Sequence, residues 1–282
     1  MISIITPVYN GEKFIRSCLD SIIKQNCSTL EHIIVDGDSQ DNTVAIIREY
    51  AEKYNHIRWI SEKDQGQSDA MNKGIRMAKG DVIGILNVDD YYESNLLNHI
   101  QTIFEDNLPE PSLIYGNCNV WNQNNNLLFL NKPGEMTLVK LLIRSRLGKN
   151  KQLDFYYPVN PSAYFYHKSL HEEIGYYDID EHYSMDFDFL IKTVKSSAHV
   201  KYFDETWGNF RHLPGTKTYS DKATGTSRSR ITKGVQKYMV NLSFSERLQV
   251  SLGKLNFRIQ YFLAYPERLS EVIQRKIHMV KV

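Results

Sequence analysis

The stretch ILNVDDYY, residues 85–92, sets Asp89 and Asp90 side by side directly after an apolar run. Adjacent like charges repel, so the pair calls for a counter-charge. Hard divalent cations take oxygen ligands, and Mg²⁺ is commonly held by one or two carboxylates plus substrate phosphates. In that chemistry Asp90 is the direct ligand, and Asp89 faces a nucleotide sugar or shares the metal. The competing role is a helix cap, in which an Asp accepts the first backbone N–H groups. Two further stretches carry similar groups. VDGDSQDNT, 35–43, ends an apolar run on Asp36, where a nucleoside can lie, and Gly37 permits a tight turn beside a ligand. Asp38 and Ser39 fit caps of the next helix. EKDQGQSDAMNKG, 62–74, supplies Asp64, Asp69, Asn72 and Lys73. Asn72 and Lys73 either touch a donor, brace the acidic pair, or stand solvated on a helix face.

The elements that must position these groups alternate through the first hundred residues. ISIITPV, HIIVDG, IRWISE and DVIGILN are apolar runs of strand length. Between them Phe14, Ile15, Cys18, Leu19, Ile22 and Ile23 recur at helical spacing, as do Val44, Ile47, Ala51 and Tyr54 after the caps Asp41 and Thr43. A helix through SDAMNKGIRMA follows, and Leu96, Leu97, Ile100, Ile103 and Phe104 mark another. Strands alternating with helices predict a doubly wound, mostly parallel α/β sheet. Such sheets bind ligands outside the carboxyl ends of their strands. Here those ends read PVYN, VDGDS, EKDQG and NVDD, all polar and three of them acidic. Farther on, SLIYGNCNVW reads as a strand, QNNN as a turn, residues 133–153 as helical, 158–166 as extended, and HYSMDFDFLIKTV as a helix opening on Asp186 and Asp188.

SIITPVYNGEKFIRSCLDSIIKQ, HIIVDGDSQDNT and DQGQSDAMNKGIRMAKGDVIGILNVDDYY, in that order, resemble the nucleotide-sugar domain of inverting family 2 glycosyltransferases with the GT-A fold. The likeness is strong over residues 2 to 110 and weaker to 215. It implies a Rossmann-like, mostly parallel sheet flanked by helices. It further implies that Pro7, Tyr9 and Asn10 line the nucleoside edge and that Asp36 meets the base or ribose. Asp64, Asn72 and Lys73 fall among the donor-binding candidates, Asp89 approaches the ribose or sugar, and Asp90 holds Mn²⁺ or Mg²⁺ bridging two phosphates. The family places an acidic base near the start of a later helix, and Asp186 matches it. A sugar hydroxyl is a poor nucleophile, so a carboxylate must take its proton. Asp188 lies two positions on, off the face of Asp186, and fits a brace. WGNFRHLPGTKT, 207–218, resembles a segment that closes the domain, making Arg211 and Lys217 candidates for the diphosphate and His212 a candidate metal ligand. Asn160 departs from the family, where many relatives carry His. The Q-x-x-R-W segment of processive relatives is absent, which favours addition of one sugar.

The expected organisation is a GT-A domain over 1–213, with a nucleotide-sugar half 1–110 and an acceptor half 111–213. A mobile Gly/Ser/Thr-rich loop is expected over 214–229 and a basic helical extension over 230–282. Residues 214–282 carry 13 Lys+Arg against 4 Asp+Glu, and the rest 21 against 29, so a net +1 hides an acidic body and a basic tail. With Leu248, Leu252, Leu255, Ile259 and Phe262 near heptad spacing, that tail reads as a helix on an anionic membrane, on its own domain or on a second subunit. The first residues read as a strand and not a signal peptide, no run is long enough to span a bilayer, and Cys18, Cys27 and Cys118 form no C-x-x-C pair. A cytoplasmic enzyme follows as the expectation; peripheral contact with the inner face of the membrane is a separate one that depends on which of these surfaces the tail covers. The enzyme's donor is a nucleoside diphosphate sugar, with UDP as the first choice, and its acceptor a glycan or lipid-linked glycan in polysaccharide assembly. A homo-oligomer is allowed and no nucleic acid partner is expected. His167 and His171, at i and i+4, lack a third zinc ligand and read as surface residues. The rival readings are a sugar nucleotidyltransferase, against which PVYNGEK stands in place of a Gly-rich loop, and a non-catalytic nucleotide-sugar-binding protein.

Overall fold

A computed structural model describes residues 1–106, 108–147, 153–182, 184–214, 216 and 226–267. Strands β1 (Ile2–Val8) and β2 (Leu30–Asp36) are buried at every position, as strands covered on both faces must be. They pair in parallel with each other, with β3 (Ile57–Ser61) beside β2 and β4 (Val82–Ile85) beside β1. Helices α1 (Ile15–Ile23) and α2 (Thr43–Lys53) cover one face through Leu19, Ile46 and Ile47, which pack on Val8 and Ile34. Helix α3 (Gln67–Met77) covers the other through Met71 and Ile75, against Ile5, Ile33 and Val35. The alternation along β1 and β2 thus serves two cores at once.

The chain continues with β5 (Tyr91–Tyr92), α4 (Leu96–Glu105), β6 (Ser112–Asn122), β7 (Leu127–Asn131) and α5 (Leu138–Ile143). Next come β8 (Ser145–Leu147), β9 (Leu153–Phe155), β10 (Tyr164–His167), α6 (Leu170–Ile174), α7 (Met185–Lys195) and β11 (His199–His212). The main sheet runs β3-β2-β1-β4-β10-β6-β11-β5, with β7 on β6. Strand β10 enters antiparallel between β4 and β6, and β5 pairs antiparallel with β11, so the sheet is parallel only in its first half and in the β6–β11 pair. Two helices end the described chain, α8 (Thr226–Met239) and α9 (Phe244–Ala264). Among the described residues no helix is long and apolar enough to cross a membrane.

Three local readings change. Among the described residues of 133–153 only α5 is helical; Arg144, with φ of 80°, ends it, and β8 and β9 pair as a small antiparallel sheet. Within 158–166 a 3₁₀ turn, Pro161–Ala163, precedes β10. Of the loop expected over 214–229, residues 215 and 217–225 lie outside the described residues, Lys217 among them, and helix begins at Thr226; 268–282 also lie outside.

Candidate active site

A cleft of about 610 Å³ opens at the carboxyl ends of β1 and β4. Pro7, Tyr9 and Asn10, which end β1 and begin the next loop, line one part of it. Tyr9 is 64% exposed, a ring held out of the core and free to stack on a base. Asp64 lines the cleft beyond β3. Its carboxylate sits so close to Gly37 that a Cβ there would lie 2.6 Å from Oδ2, so a side chain at position 37 would displace the Asp64 carboxylate. Its other oxygen accepts the Gly66 N–H at 2.8 Å. Asp89 lines the cleft from the loop after β4, and Asp186 lines it from the first turn of α7.

The two neighbours Asp89 and Asp90 have different surroundings. Asp90 is fully buried. Its Oδ1 accepts the Arg211 backbone N–H at 2.9 Å, and its Oδ2 accepts Asn87 Nδ2 at 3.0 Å and Asn160 Nδ2 at 2.8 Å. Both oxygens thus accept protein donors, and Asp90 stands behind the cleft wall while Asp89 is part of it. Burial, and then the charge of Asp89, push its pKa well above the ordinary carboxylate value. Asp89 is likewise raised, by burial, while the positive charge of Arg211 opposes the rise. Of the two carboxylates, the one that lines the cleft is Asp89.

Other expected donor contacts are engaged elsewhere. Asp36 is fully buried, and its carboxylate accepts Ser61 Oγ at 2.7 Å and the Ser39 N–H at 3.0 Å, holding the loop after β2 to the end of β3. Asn72 is buried and clips α3 to the backbone of Tyr177, donating at 2.8 Å and accepting at 3.0 Å. Lys73 reaches Glu62 at 2.9 Å and Asp69 at 3.4 Å. These three residues shape the site without a place on its wall. Arg211 lays its guanidinium 5.1 Å from the ring centre of Tyr91, and its buried Nε has no hydrogen-bond partner. His212 ends β11, its ring 6.3 Å from that of Phe210. Among the described residues no three His, Cys, Asp or Glu side chains gather to hold a metal, so Asp89, Asp90 and His212 do not form a three-ligand set.

Around Asp186 the structure adds groups that residue types alone did not single out. Tyr164 on β10 is fully buried and its hydroxyl donates to Asp186 Oδ1 at 3.1 Å. The Tyr164 hydroxyl also lies 3.4 Å from that of Tyr177. Asp188 faces away, accepting Tyr238 Oη at 2.6 Å and pairing with Lys192 at 2.8 Å. It is a brace between α7 and α8. His182 and Asn160 line the cleft as well. Asn160 was visible in the sequence only as a departure from the family; here it holds Asp90 with Nδ2 and caps the 3₁₀ turn with Oδ1, which accepts the Ser162 N–H at 2.8 Å. His167 and His171 are buried and not on the surface. His167 Nδ1 accepts the Ser112 N–H at 3.0 Å, and His171 bonds the Tyr166 hydroxyl at 3.1 Å.

The arrangement invites comparison with known proteins. The family model described as glycosyl transferase family 2 matches residues 3–175. This chain belongs to that family. The family member EpsJ of Bacillus subtilis, an uncharacterized glycosyltransferase, is 29% identical over 222 residues, covering 77% of this chain and 63% of that protein. A PGL/p-HBAD biosynthesis glycosyltransferase of Mycobacterium bovis is 29% identical over 226 residues, covering 79% of this chain and 81% of the relative. Among solved structures, S. aureus TarS 1–349 in complex with UDP-GlcNAc superposes with a TM-score of 0.65 at 18% identity, over 93% of this chain and 72% of that 1–349 chain. The mannosyltransferase PcManGT from Pyrobaculum calidifontis, in complex with GDP-Man and Mn²⁺, gives 0.62 at 15% identity, over 98% and 75%. At such identities the likeness carries the fold, which is GT-A.

Proposed function

We propose that this family 2 protein transfers a sugar from a nucleoside diphosphate donor to a hydroxyl of a glycan or lipid-linked glycan, with inversion, in polysaccharide assembly. The observation that carries the reading is that Asp89 and Asp186 line one cleft from separate elements, Asp89 from the donor half and Asp186 from the acceptor half. Tyr9 is placed to stack on the base. Asp64 offers a carboxylate oxygen to a base N–H or a ribose hydroxyl. The Arg211 guanidinium, with its unpartnered buried Nε, supplies positive charge for the diphosphate.

The site suits a hard divalent cation: Asp89 lines the cleft with Asp90 directly behind it, and a bound cation would relieve the cost of keeping two buried, mutually repelling carboxylates charged. Asp89 would hold the ion. Bound Mn²⁺ or Mg²⁺ would offset charge developing on the leaving diphosphate. Asp186 takes the proton of the acceptor hydroxyl as the oxygen forms its bond to the anomeric carbon and the bond to the phosphate oxygen breaks. Tyr164 holds that carboxylate in one orientation through its hydrogen bond.

UDP is the first donor base to test, since TarS is recorded with UDP-GlcNAc; GDP is the second, from PcManGT with GDP-Man. The test is donor turnover, with and without Mn²⁺. Release of nucleoside diphosphate, lost about 10²–10⁴-fold in Asp186→Asn with donor affinity kept, is the expected result. Release of pyrophosphate would favour a nucleotidyltransferase, and binding without turnover for any donor–acceptor pair would favour the non-catalytic reading.

A further inference from the structure

We propose that the outer face of α9, with the cations beside it, is a docking surface for an anionic lipid bilayer. The helix is firmly begun by a capping box, in which Ser243 Oγ accepts the Glu246 N–H and the Glu246 carboxylate accepts the Ser243 N–H at 2.8 Å. At 100° per residue its positions separate into faces. Val250 and Gly253 lie toward the body of the protein. Val250 is fully buried, and a Cβ on Gly253 would fall 2.3 Å from Ile143 Cδ1, so α9 rests on α5 at backbone distance. The opposite face carries Phe244, Leu248, Leu252, Leu255, Ile259 and Leu263, each between 48% and 83% exposed. They form one continuous apolar line along a helix about 30 Å long. A helix that has buried its own face against the domain needs no second apolar face for folding.

Charge decides what covers it. On the flank of α9 between that line and the domain stand exposed Arg258 and, nearer the domain, half-buried Lys254, with Arg144 from the end of α5 close enough for its charge to act on Lys254. Burial first, then Arg144 and Arg258, hold the Lys254 ammonium below the usual lysine pKa. Among the described residues none of the three makes an ion pair with a carboxylate, and the buried Nε of Arg144 has no hydrogen-bond partner. Cations without anions beside an apolar stripe fit a surface that is apolar within and anionic at its rim. A second copy packed on it by the same face, as in a two-fold dimer, would bring the same cations against these and no carboxylate to offset them. This inference goes beyond the transfer reaction, and its test does not depend on turnover.

The experiment is cosedimentation of the full chain with vesicles of phosphatidylcholine alone or mixed with phosphatidylglycerol, with light scattering in parallel. The protein should pellet with the anionic vesicles, stay in solution with the neutral ones, and release as salt rises. Leu252→Glu/Leu255→Glu should abolish pelleting, and Lys254→Gln/Arg258→Gln should weaken it by about tenfold. Both variants should keep the thermal midpoint and donor affinity of the parent. Failure of the parent to pellet at low salt overturns the proposal, as does pelleting that neither variant reduces. A dimer in solution that Leu252→Glu/Leu255→Glu dissociates also overturns it and assigns the stripe to a second copy.

Discussion

Asp89 and Asp90 are chemically alike and adjacent, yet their environments give them opposite roles, and substitution should separate these. Asp90→Ala strands the donors of Asn87, Asn160 and the Arg211 backbone. It should cost about 2–4 kcal/mol of stability, since each buried unsatisfied donor is expensive. Asp89→Asn removes a like charge next to Asp90 and should leave the thermal midpoint unchanged or higher, while abolishing any Mn²⁺-dependent gain in donor affinity. Differential scanning fluorimetry with and without donor and metal checks both. Tyr164 offers a second residue-scale test. Tyr164→Phe removes a hydrogen bond to the Asp186 carboxylate and should lower kcat by about tenfold with donor Kd unchanged. A change in donor affinity alone would point to loosened packing. The acidic strand end was legible at this scale; which of two neighbouring carboxylates faces the cleft was not. That choice depends on Asn160 and Arg211, 70 and 121 positions away.

At the scale of elements, the four βα repeats of the first hundred residues were legible because each strand is an apolar run and each helix carries a 3.6-residue stripe. The second half was less so. Strand β10 enters antiparallel beside β4 through pairing that leaves no local signature. The stretch 133–153 reads as a longer helix than it makes, because Arg144, with φ of 80°, leaves the right-handed helical region. The histidines illustrate the same limit: spacing could not tell a solvated His171 from one stacked at 5.1 Å on Tyr176 and bonded to Tyr166. Burial of the β2 residue His32 has a consequence for acid stability. The ring is fully buried, and its pKa is pushed from 6.5 down to about 3, chiefly by burial. The unfolded chain therefore takes up the proton first. The stability that the neutral ring lends is full above pH 6.5 and is lost as pH falls toward 3. Between pH 6.5 and 5 the loss should be about 2 kcal/mol from this group. His56, His167 and His171 are lowered in the same direction by burial. Thermal midpoints should fall across that range, and less steeply in His32→Gln.

For the whole molecule, donor binding should stabilise the fold, because ligand that binds only the native state adds RT ln(1 + [L]/Kd). At a hundredfold excess over Kd that is about 2.7 kcal/mol. A thermal-shift panel of nucleoside diphosphates and their sugars, with and without Mn²⁺, should single out one base, with the larger shift when metal is present. No shift from any of them would remove the donor site from the cleft. The sequence alone carried this expectation as far as the gathering of polar strand ends on one rim; the part played by Tyr164, His182 and Asn160 in and behind the cleft had to be seen, since no motif names them.

The two-residue strand β5 follows Asp90 at once and is hydrogen-bonded to Gly208 and Asn209 near the far end of the chain's long last strand. Asn209 in turn donates to Glu93 at 2.9 Å. The segment that follows Asp90 is thus tied to the end of β11. Recombining the first 110 residues with the second half of a relative would unpick the seam that orients the carboxylates themselves. A working hybrid would have to import residues 87–93, 160 and 208–211 as a set, and its failures would report on the seam before they reported on substrate choice.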